Sequence, residues 1–392
     1  MILTNRQEKG LRIAVERFQN NNPYTCISGF AGTGKTTLVR FIIDALGVDE
    51  NRDVAYVAYT GKAATVLKEK GCANATTAHK LLYYSKLMPN GKYFYSPRKV
   101  LEYPYKVIVV DEVSMLPIEM WNLLLSHRIY ILACGDPAQL SPIDRKADNH
   151  VLDNPHIFLD EVMRQAQESE IIRLTMDIRA GKEIKPFVGN EVQVLNRKDF
   201  VDGMYTWADQ ILCATNATRN GINAYVRNKL GFSEEPQKGD KIICLKNHWD
   251  IMSNYDFALT NGQIGYLSDY TTGSLYYPKT IIDKPVKYLL ANFELENSEI
   301  YNNLLIDYNN LHLGKRDITP EQEYKVYTNK NLSNLPIEFA YGYAITVWKA
   351  QGSEWDKILA FEENFPYGEE HQKYLYTACT RSSKKLVLIL KE

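Results

Sequence analysis

The residues Gly29-Phe30-Ala31-Gly32-Thr33-Gly34-Lys35-Thr36 match G-x-x-x-x-G-K-[ST], the pattern of a phosphate-binding loop (P-loop). This spacing suits phosphate binding because a glycine-rich turn at a helix N-terminus points backbone N–H groups at an anion. Lys35 is predicted to reach the β- and γ-phosphates of a nucleotide, and the Thr36 hydroxyl is predicted to ligate Mg²⁺. Gly32, Thr33, Gly34 and Thr37 complete the predicted cradle. The alternative is a glycine-rich turn that binds nothing.

An acidic pair, Asp111 and Glu112, directly follows the apolar run Val107 to Val110. Next to a phosphate-binding loop, Asp111 is predicted to hold Mg²⁺ through its water shell. Glu112 is predicted to orient and deprotonate an attacking water. Acidic pairs also end strands without any catalytic role, and it is the P-loop upstream that favours the catalytic interpretation.

A third loop, Gly135 to Pro142, carries Gln139. A glutamine amide can both donate and accept hydrogen bonds, so Gln139 is predicted to sense the γ-phosphate. The alternative is a solvated glutamine in a Gly/Pro-rich loop.

Alternating strands and helices must hold these loops together. Continuous apolar strands separated by helices indicate a parallel sheet that is covered on both faces. Ligands then collect at the C-terminal ends of its strands. The predicted elements are the strands Tyr24–Ser28, Val54–Tyr59, Val107–Val110 and Ile129–Cys134, with helices at Thr36–Leu46 and Lys62–Lys70.

A second α/β unit and two insertions are also predicted. Residues 82–104 are rich in aromatic side chains around Pro89-Asn90-Gly91, and Asn-Gly is a hairpin turn signal. Residues 247–330 contain turn signals between short aliphatic or tyrosine-rich runs, which indicates a small β insertion. The second unit is assigned the strands Gln210–Ala214, Lys241–Leu245, Lys357–Phe361 and Leu386–Leu390, and the helix Ala217–Leu230.

Composition sets further bounds. A chain of 392 residues, with 45% hydrophobic and 24% charged residues, is expected to form two or three soluble domains. No apolar run is long enough to span a membrane, and the N-terminus lacks the apolar core of a signal peptide. The six cysteines are widely spaced, so they are expected to be reduced packing residues in a cytosolic protein. With a net charge of −1, a nucleic-acid partner would require a local positive groove.

Several further segments occur in a recognisable order along the chain. They are Leu3-Thr4-Asn5-Arg6-Gln7, Tyr59-Thr60-Gly61-Lys62-Ala63-Ala64, Thr76-Thr77-Ala78-His79, Met163-Arg164-Gln165, Ala344 to Ser353, and Tyr376-Thr377-Ala378-Cys379-Thr380-Arg381. With the three loops, they make almost the whole chain similar to superfamily 1 helicases of the 5′→3′ subgroup, such as RecD and the phage Dda helicase. The last two segments, in order behind the P-loop, are the specific ones.

The resemblance implies roles at individual positions. Gln7 would read adenine, Gly352 and Glu354 would contact the nucleotide, and Arg164 and Arg381 would be arginine fingers. The DNA contacts would come from Thr60, Lys62, His79, Phe94, Thr346 and Trp348. Small or basic polar groups suit phosphate contact, and an aromatic face suits base stacking.

Each of these assignments has a plain structural alternative. Either arginine could form a surface ion pair, His79 could be a capped or core histidine, and Thr346 could simply pack. Relatives more often carry His where Trp348 stands, and its indole could stack on a base or be buried against Phe339 or Tyr343. Phe94 is the predicted strand-separating wedge, although Tyr93 or Tyr95 could serve, or all three could pack.

The fold that the resemblance implies is α/β, with two RecA-like parallel-sheet domains. The first would cover residues 1–148, with a hairpin pin at 82–104. The second would cover residues 149–246 and 331–392, with an SH3-like β insertion at 247–330. ATP and Mg²⁺ would be its cofactors.

The implied function is an ATP-dependent DNA helicase that moves 5′→3′ on single-stranded DNA and unwinds duplexes. Its partners would be single-stranded DNA and single-strand/duplex junctions, together with single-strand-binding or replication proteins. It would work as a monomer in replication, recombination or repair, in the cytoplasm of a bacterial or phage-infected cell. The alternatives are an RNA-directed helicase, and a nucleotide-switched DNA-binding module that does not unwind.

Overall fold

The computed structural model describes residues 3–87, 93–140, 148–163, 167–255, 257–329, 331–332 and 335–391. The strands are β1 Tyr24–Gly29, β2 Val54–Ala58, β3 Ala75–Thr77, β4 Tyr83–Leu87, β5 Tyr93–Pro97, β6 Val107–Val110, β7 Tyr130–Gly135, β8 Ile157–Leu159, β9 Phe187–Val188, β10 Val192–Asn196, β11 Gln210–Cys213, β12 Lys241–Cys244, β13 His248–Met252, β14 Ala258–Leu259, β15 Ile264–Leu275, β16 Val286–Glu294, β17 Ile300–Asp307, β18 Phe339–Tyr341, β19 Ala344–Thr346, β20 Trp355–Phe361 and β21 Ser382–Leu390. The helices are α1 Asn5–Gln19, α2 Lys35–Leu46, α3 Glu50–Asp53, α4 Gly61–Glu69, α5 Ala78–Leu82, α6 Ile118–Ser126, α7 Glu170–Arg179, α8 Gly203–Trp207, α9 Asn216–Lys229, α10 Tyr308–Leu313, α11 Pro320–Thr328, α12 Val347–Ala350 and α13 Glu369–Cys379.

The chain divides into two compact units. The first unit contains Met1–Tyr83, Pro97–Thr215 and Thr346–Glu392, and the second contains Tyr84–Ser96 and Asn216–Ile345. Both parallel sheets lie in the first unit.

The first sheet has six strands in the order β3-β2-β6-β7-β1-β8, and its neighbouring strands run parallel. Its central strands are buried throughout, as a sheet with both faces covered requires. Because β6, β7 and β1 are adjacent, the loops that follow their C-terminal ends meet at one edge. Those loops are the P-loop, the acidic pair and the Gln139 loop, so the predicted grouping is confirmed.

Within the same unit, a second sheet contains the strands β11, β20, β21, β10 and β9, adjacent in that order. Strands β11, β20, β21 and β10 pair in parallel, and β9 pairs antiparallel with β10 at the edge. Helix α13 lies between β20 and β21 in the chain and contacts α7 and both strands. The two parallel sheets confirm the predicted α/β class.

The second unit is built around an antiparallel sheet in the order β17-β16-β15-β12-β18. Its core includes the fully buried rings of Phe293, Tyr301 and Phe339. Strands β13 and β14 form one two-stranded sheet, and β4 and β5 form another, whose connecting turn lies outside the described residues.

One predicted strand belongs elsewhere. The segment Lys241–Leu245, assigned above to the second parallel sheet, forms β12 and pairs antiparallel with β15 and β18. Helix α9 joins the same unit, because Arg227 forms a buried ion pair with Asp240 at 2.7 Å and Asn223 accepts from the Ala344 N–H at 2.7 Å. The assignment was wrong because a short apolar run shows burial and not the strand that will pair with it.

The six cysteines are buried and form no disulfide, as predicted. Burial raises the pKa of the Cys26 and Cys379 thiols to about 12. In the described part of the chain, no helix is long and apolar enough to cross a membrane.

Candidate nucleotide site and nucleic-acid contacts

The P-loop joins β1 to α2, and its geometry explains its last glycine. Gly34 has φ 78°, a left-handed conformation that side chains disfavour. A Cβ at Gly34 would also lie 2.5 Å from Gln7 Nε2, inside the contact distance of the two atoms. Glycine is therefore required there by both the backbone and the neighbouring side chain.

Lys35 folds back over the loop that precedes it. Its ammonium donates to the carbonyl oxygens of Gly29 at 2.7 Å and Phe30 at 3.1 Å. The buried Thr33 hydroxyl donates to the Phe30 carbonyl at 2.8 Å, whereas Thr36 is exposed. To bind phosphate, Lys35 would exchange its two carbonyl acceptors for phosphate oxygens.

Gln7 is buried against the P-loop, close to the predicted nucleotide position. Its side-chain oxygen accepts from the Thr4 N–H at 3.0 Å, completing the capping box of α1. Its Nε2 donates to the Thr33 carbonyl at 3.3 Å and also approaches Gly34 and Met163. Both ends of the amide are thus engaged, so reading adenine would require Gln7 to exchange partners.

The acidic pair and Gln139 meet at the ends of β6 and β7. Gln139 Nε2 donates to Glu112 Oε1 at 3.0 Å. Glu112 has φ 48° and ψ 52°, a left-handed conformation that is uncommon for glutamate. Strained backbone of this kind concentrates at functional sites. Burial, followed by the charge of Glu112, raises the pKa of Asp111, and the nearby Lys35 ammonium opposes that rise.

The two predicted arginine fingers have different outcomes. Arg164 lies outside the described residues. Arg381 is buried and follows α13, and its guanidinium donates to the carbonyls of Thr377 at 3.2 Å and Ser353 at 3.3 Å. Arg381 would have to leave these carbonyls to reach a phosphate.

Two predicted DNA contacts lie at the start of α4. Thr60 caps this helix, because its hydroxyl accepts from the Ala63 N–H at 3.2 Å. The Lys62 ammonium lies 3.9 Å from the centre of the Trp355 ring, a cation–π contact. Thr60 therefore has a structural role, and Lys62 is committed to an aromatic partner.

Two further predicted nucleotide residues lie near α4 as well. Gly352 has φ 72°, and a Cβ there would be 3.0 Å from the Ala63 Cβ. Glu354 forms an exposed ion pair with Lys70 at 3.3 Å. Close packing against Ala63 thus favours glycine at position 352, and Glu354 has Lys70 as its partner on the surface.

The predicted aromatic contacts are varied. His79 lies between Tyr59 and Tyr83, with ring centroids 6.0 Å and 5.9 Å away, and burial lowers its pKa. A neutral histidine supplies no positive charge for a phosphate. Trp348 is half-buried, and its ring lies 6.1 Å from that of Phe365, which is itself 47% exposed.

The last two predicted DNA residues give less information. Thr346 is buried and precedes α12. Phe94 lies on β5, and its side chain is outside the described positions.

Several residues that had no predicted role join the loops to segments of the second sheet. The Tyr376 hydroxyl accepts from the Ala31 N–H of the P-loop at 2.8 Å and donates to Asp136 Oδ2 at 2.6 Å. The Thr377 hydroxyl accepts from the Leu140 N–H at 2.9 Å, and Gln351 Nε2 donates to the Leu140 carbonyl at 2.7 Å. Tyr376, Thr377 and Gln351 lie within the two segments, Ala344 to Ser353 and Tyr376 to Arg381, that carry the helicase resemblance. Their place in those segments was the sequence signal that could have indicated a role.

A further cation lies beside the P-loop. The Arg179 guanidinium carbon is 3.6 Å from the centre of the Phe30 ring. A cavity of about 380 Å³ adjoins this pair and is also lined by Lys373 and Tyr376. Nothing in the sequence of α7 distinguishes Arg179 from a surface arginine.

The donor set fits a magnesium–nucleotide complex. Within the described part of the chain, no three His, Cys, Asp or Glu side chains form a metal cage. Mg²⁺ needs none in such sites, because it keeps several waters and binds one or two protein oxygens plus the phosphates. Asp111 and the exposed Thr36 hydroxyl would supply those oxygens.

The fold and this site define a P-loop nucleotide-hydrolysing protein with a second parallel sheet beside the first. Two family comparisons agree with that class. The family described as AAA domain matches residues 6–206, about half of the chain, and the UvrD-like helicase C-terminal domain matches residues 341–389.

Individual relatives point to the same group. The RecBCD enzyme subunit RecD of Buchnera aphidicola is 27% identical over 96% of this chain and 71% of its own length. The ATP-dependent DNA helicase dda of Enterobacteria phage T4 is 24% identical over 58% of this chain and 57% of its own length. The Pif1 helicase of Bacteroides, solved with ADP-AlF3 and single-stranded DNA, aligns with a TM-score of 0.51 at 18% identity, covering 100% of this chain and 95% of that one.

The chain belongs to the AAA domain family and is a superfamily 1 helicase of the 5′→3′, RecD/Dda-like subgroup.

Proposed function

We propose that this protein hydrolyses ATP to move 5′→3′ along single-stranded DNA and to separate duplex strands ahead of it. The observation that carries the proposal is the meeting of Lys35, Glu112 and Gln139 at one sheet edge, with Tyr376 of α13 bonded to the same loops. A site that only binds nucleotide has no need for a positioned carboxylate beside the P-loop. Coupled movement needs a second structural layer that contacts the site.

The chemistry follows from the groups present. Phosphoryl transfer requires mostly positioning and charge stabilisation. Glu112 would orient the attacking water and take its proton, and the Gln139 amide holds the Glu112 carboxylate. Lys35 would neutralise charge on the phosphates. Mg²⁺, held by Asp111 and Thr36, would supply further charge neutralisation when bound.

Movement would come from the second sheet. On ATP binding, Arg381 is proposed to leave its carbonyl acceptors and reach the γ-phosphate, with Arg164 as the second finger. Hydrolysis and release would then reverse that change. Each cycle would shift the DNA contacts proposed for Thr60, Lys62 and Thr346.

The proposed substrate includes the junction between single and double strands. The aromatic hairpin at 82–104 is proposed as the pin that splits the duplex, with Phe94 as its wedge. The β insertion at 247–330 is proposed to be an SH3-like domain that covers the DNA channel. Their support is that the strands β4 and β5 and the antiparallel sheet belong to one compact unit.

Strand displacement tests the function directly. Duplexes with a 5′ single-stranded tail should be unwound in the presence of ATP and Mg²⁺, whereas duplexes with only a 3′ tail should not. Unwinding from the 3′ tail alone would overturn the polarity.

Stimulation of ATP hydrolysis by nucleic acid tests the substrate. Single-stranded DNA should raise the rate more than RNA of the same sequence. Stronger stimulation by RNA would favour the RNA-directed alternative. DNA stimulation without strand separation on any tailed duplex would favour the nucleotide-switched module.

A further inference from the structure

Helix α13 carries a tyrosine whose hydroxyl joins two loops of the nucleotide site. Tyr376 is 2% exposed, so its hydrogen bonds form away from water. The hydroxyl accepts from the Ala31 N–H at 2.8 Å and donates to Asp136 Oδ2 at 2.6 Å. A tyrosine hydroxyl can act as donor and acceptor at once, and here both capacities are used.

The loop that Tyr376 holds is the one that carries Gln139. Asp136 is buried, and its second oxygen accepts from the Ala138 N–H at 2.9 Å, which shapes the turn before Gln139. The Gln139 amide in turn contacts Glu112. A chain of hydrogen bonds therefore runs from Tyr376 through Asp136 and its turn to Gln139 and the proposed general base.

The next residue on α13 supports the same loop from its other end. The Thr377 hydroxyl accepts from the Leu140 N–H at 2.9 Å. Helix α13 ends at Cys379, two residues before Arg381. The short segment from Tyr376 to Arg381 thus hydrogen-bonds to the P-loop and to the Gln139 loop, and it also contains the proposed arginine finger.

We propose that Tyr376 is a positioning residue for ATP hydrolysis, whose hydroxyl sets the P-loop and the Gln139 loop in register with each other. The proposal rests on the ATPase activity proposed above. Tyr376 need not touch the nucleotide, because it acts through Ala31 and Asp136. Its loss should lower kcat while leaving the KM for ATP nearly unchanged, since Lys35 and the glycines of the P-loop remain and only the bond from the Ala31 N–H is lost.

A matched control lies two residues away on the same helix. Tyr374 is fully buried, and its hydroxyl donates to the Phe361 carbonyl at 2.5 Å, outside the three nucleotide loops. Tyr374→Phe and Tyr376→Phe each remove one buried hydroxyl. A purely structural role for Tyr376 predicts similar effects of the two variants on turnover.

The test measures DNA-stimulated ATP hydrolysis in both variants. Tyr376→Phe should lower kcat about tenfold, with the KM for ATP within about twofold, whereas Tyr374→Phe should stay within about twofold of wild type in both. Equal turnover of Tyr376→Phe and wild type would overturn the inference and leave the ATPase proposal standing. A wild-type protein without ATPase activity would instead overturn the proposed function.

A second substitution separates positioning from stability. Tyr376→Phe leaves a buried carboxylate at Asp136 without that donor, which destabilises the fold. Adding Asp136→Asn removes the buried charge and should restore the thermal midpoint without restoring kcat. Recovery of both together would show that Tyr376 acts only through stability, and the double variant also serves if Tyr376→Phe alone does not fold.

Discussion

Replacing Glu112 by glutamine should remove the general base and leave the geometry of the site intact. Gln139 Nε2 donates to Glu112 Oε1 at 3.0 Å, and the side-chain oxygen of a glutamine can accept the same bond. The left-handed backbone at φ 48° strains both residues equally, because both carry a Cβ. The substitution therefore changes one property, the ability to take a proton.

Because only the ability to take a proton is lost, the expected fall in the hydrolysis rate is that of a missing general base. A positioned general base contributes about 10²–10⁴ in rate, which corresponds to about 3–5 kcal/mol of activation free energy. ATP affinity should stay within about threefold, since Lys35 and the loop amides are untouched. Lys35→Ala, by contrast, should lose both binding and turnover, because the ammonium faces the loop that holds the phosphates.

Single-turnover hydrolysis at saturating single-stranded DNA, with a parallel nucleotide-binding titration, separates the two effects. Glu112→Asp is an informative companion: aspartate tolerates the left-handed conformation better, but its carboxylate is one methylene short. A displacement of about 1 Å can cost about 10²-fold, so this variant should fold well and turn over slowly. If Glu112→Gln keeps more than about a tenth of the wild-type rate, Glu112 is not the base.

Three further predictions concern the same site. Gly34→Ala should lower the thermal midpoint more than Gly47→Ala. Both glycines have left-handed backbone, which costs an alanine about 1–2 kcal/mol, but only at Gly34 would the new Cβ also clash with Gln7. Equal losses in the two variants would contradict the clash. Chelating Mg²⁺ with EDTA should abolish ATP hydrolysis, and excess Mg²⁺ should restore it; turnover that persists in EDTA would exclude the metal role. Arg381→Lys should lower kcat about 10³-fold or more with nucleotide affinity nearly unchanged, and an unaltered kcat would remove Arg381 as a finger.

The sequence was sufficient to group the catalytic loops. Each follows a continuous apolar strand, and apolar strands alternating with helices indicate a parallel sheet whose C-terminal edge collects the loops. Lys35, Glu112 and Gln139 meet there as expected. The left-handed backbone of Glu112 was not predictable, because nothing in its neighbours requires it.

Long-range partners were the part that the sequence could not supply. Tyr376 stood in a quoted segment, yet its bonds reach Ala31 and Asp136, 345 and 240 residues away along the chain. The strand Lys241–Cys244 was recognised as apolar but given the wrong sheet, because an apolar run does not show which strands will pair with it. Gln7 was placed near the nucleotide, but its use in a helix cap was not foreseen.

The buried cysteines have a practical consequence for studying such a motor. All six thiols are shielded within the fold, and the pKa values raised by burial keep Cys26 and Cys379 protonated at neutral pH. Maleimide dyes react with exposed thiolates, so the native chain should react with them very slowly. A cysteine introduced at an exposed position such as Lys99 or Tyr103 would then be labelled selectively. Fluorescence could follow single molecules without first replacing the six native cysteines.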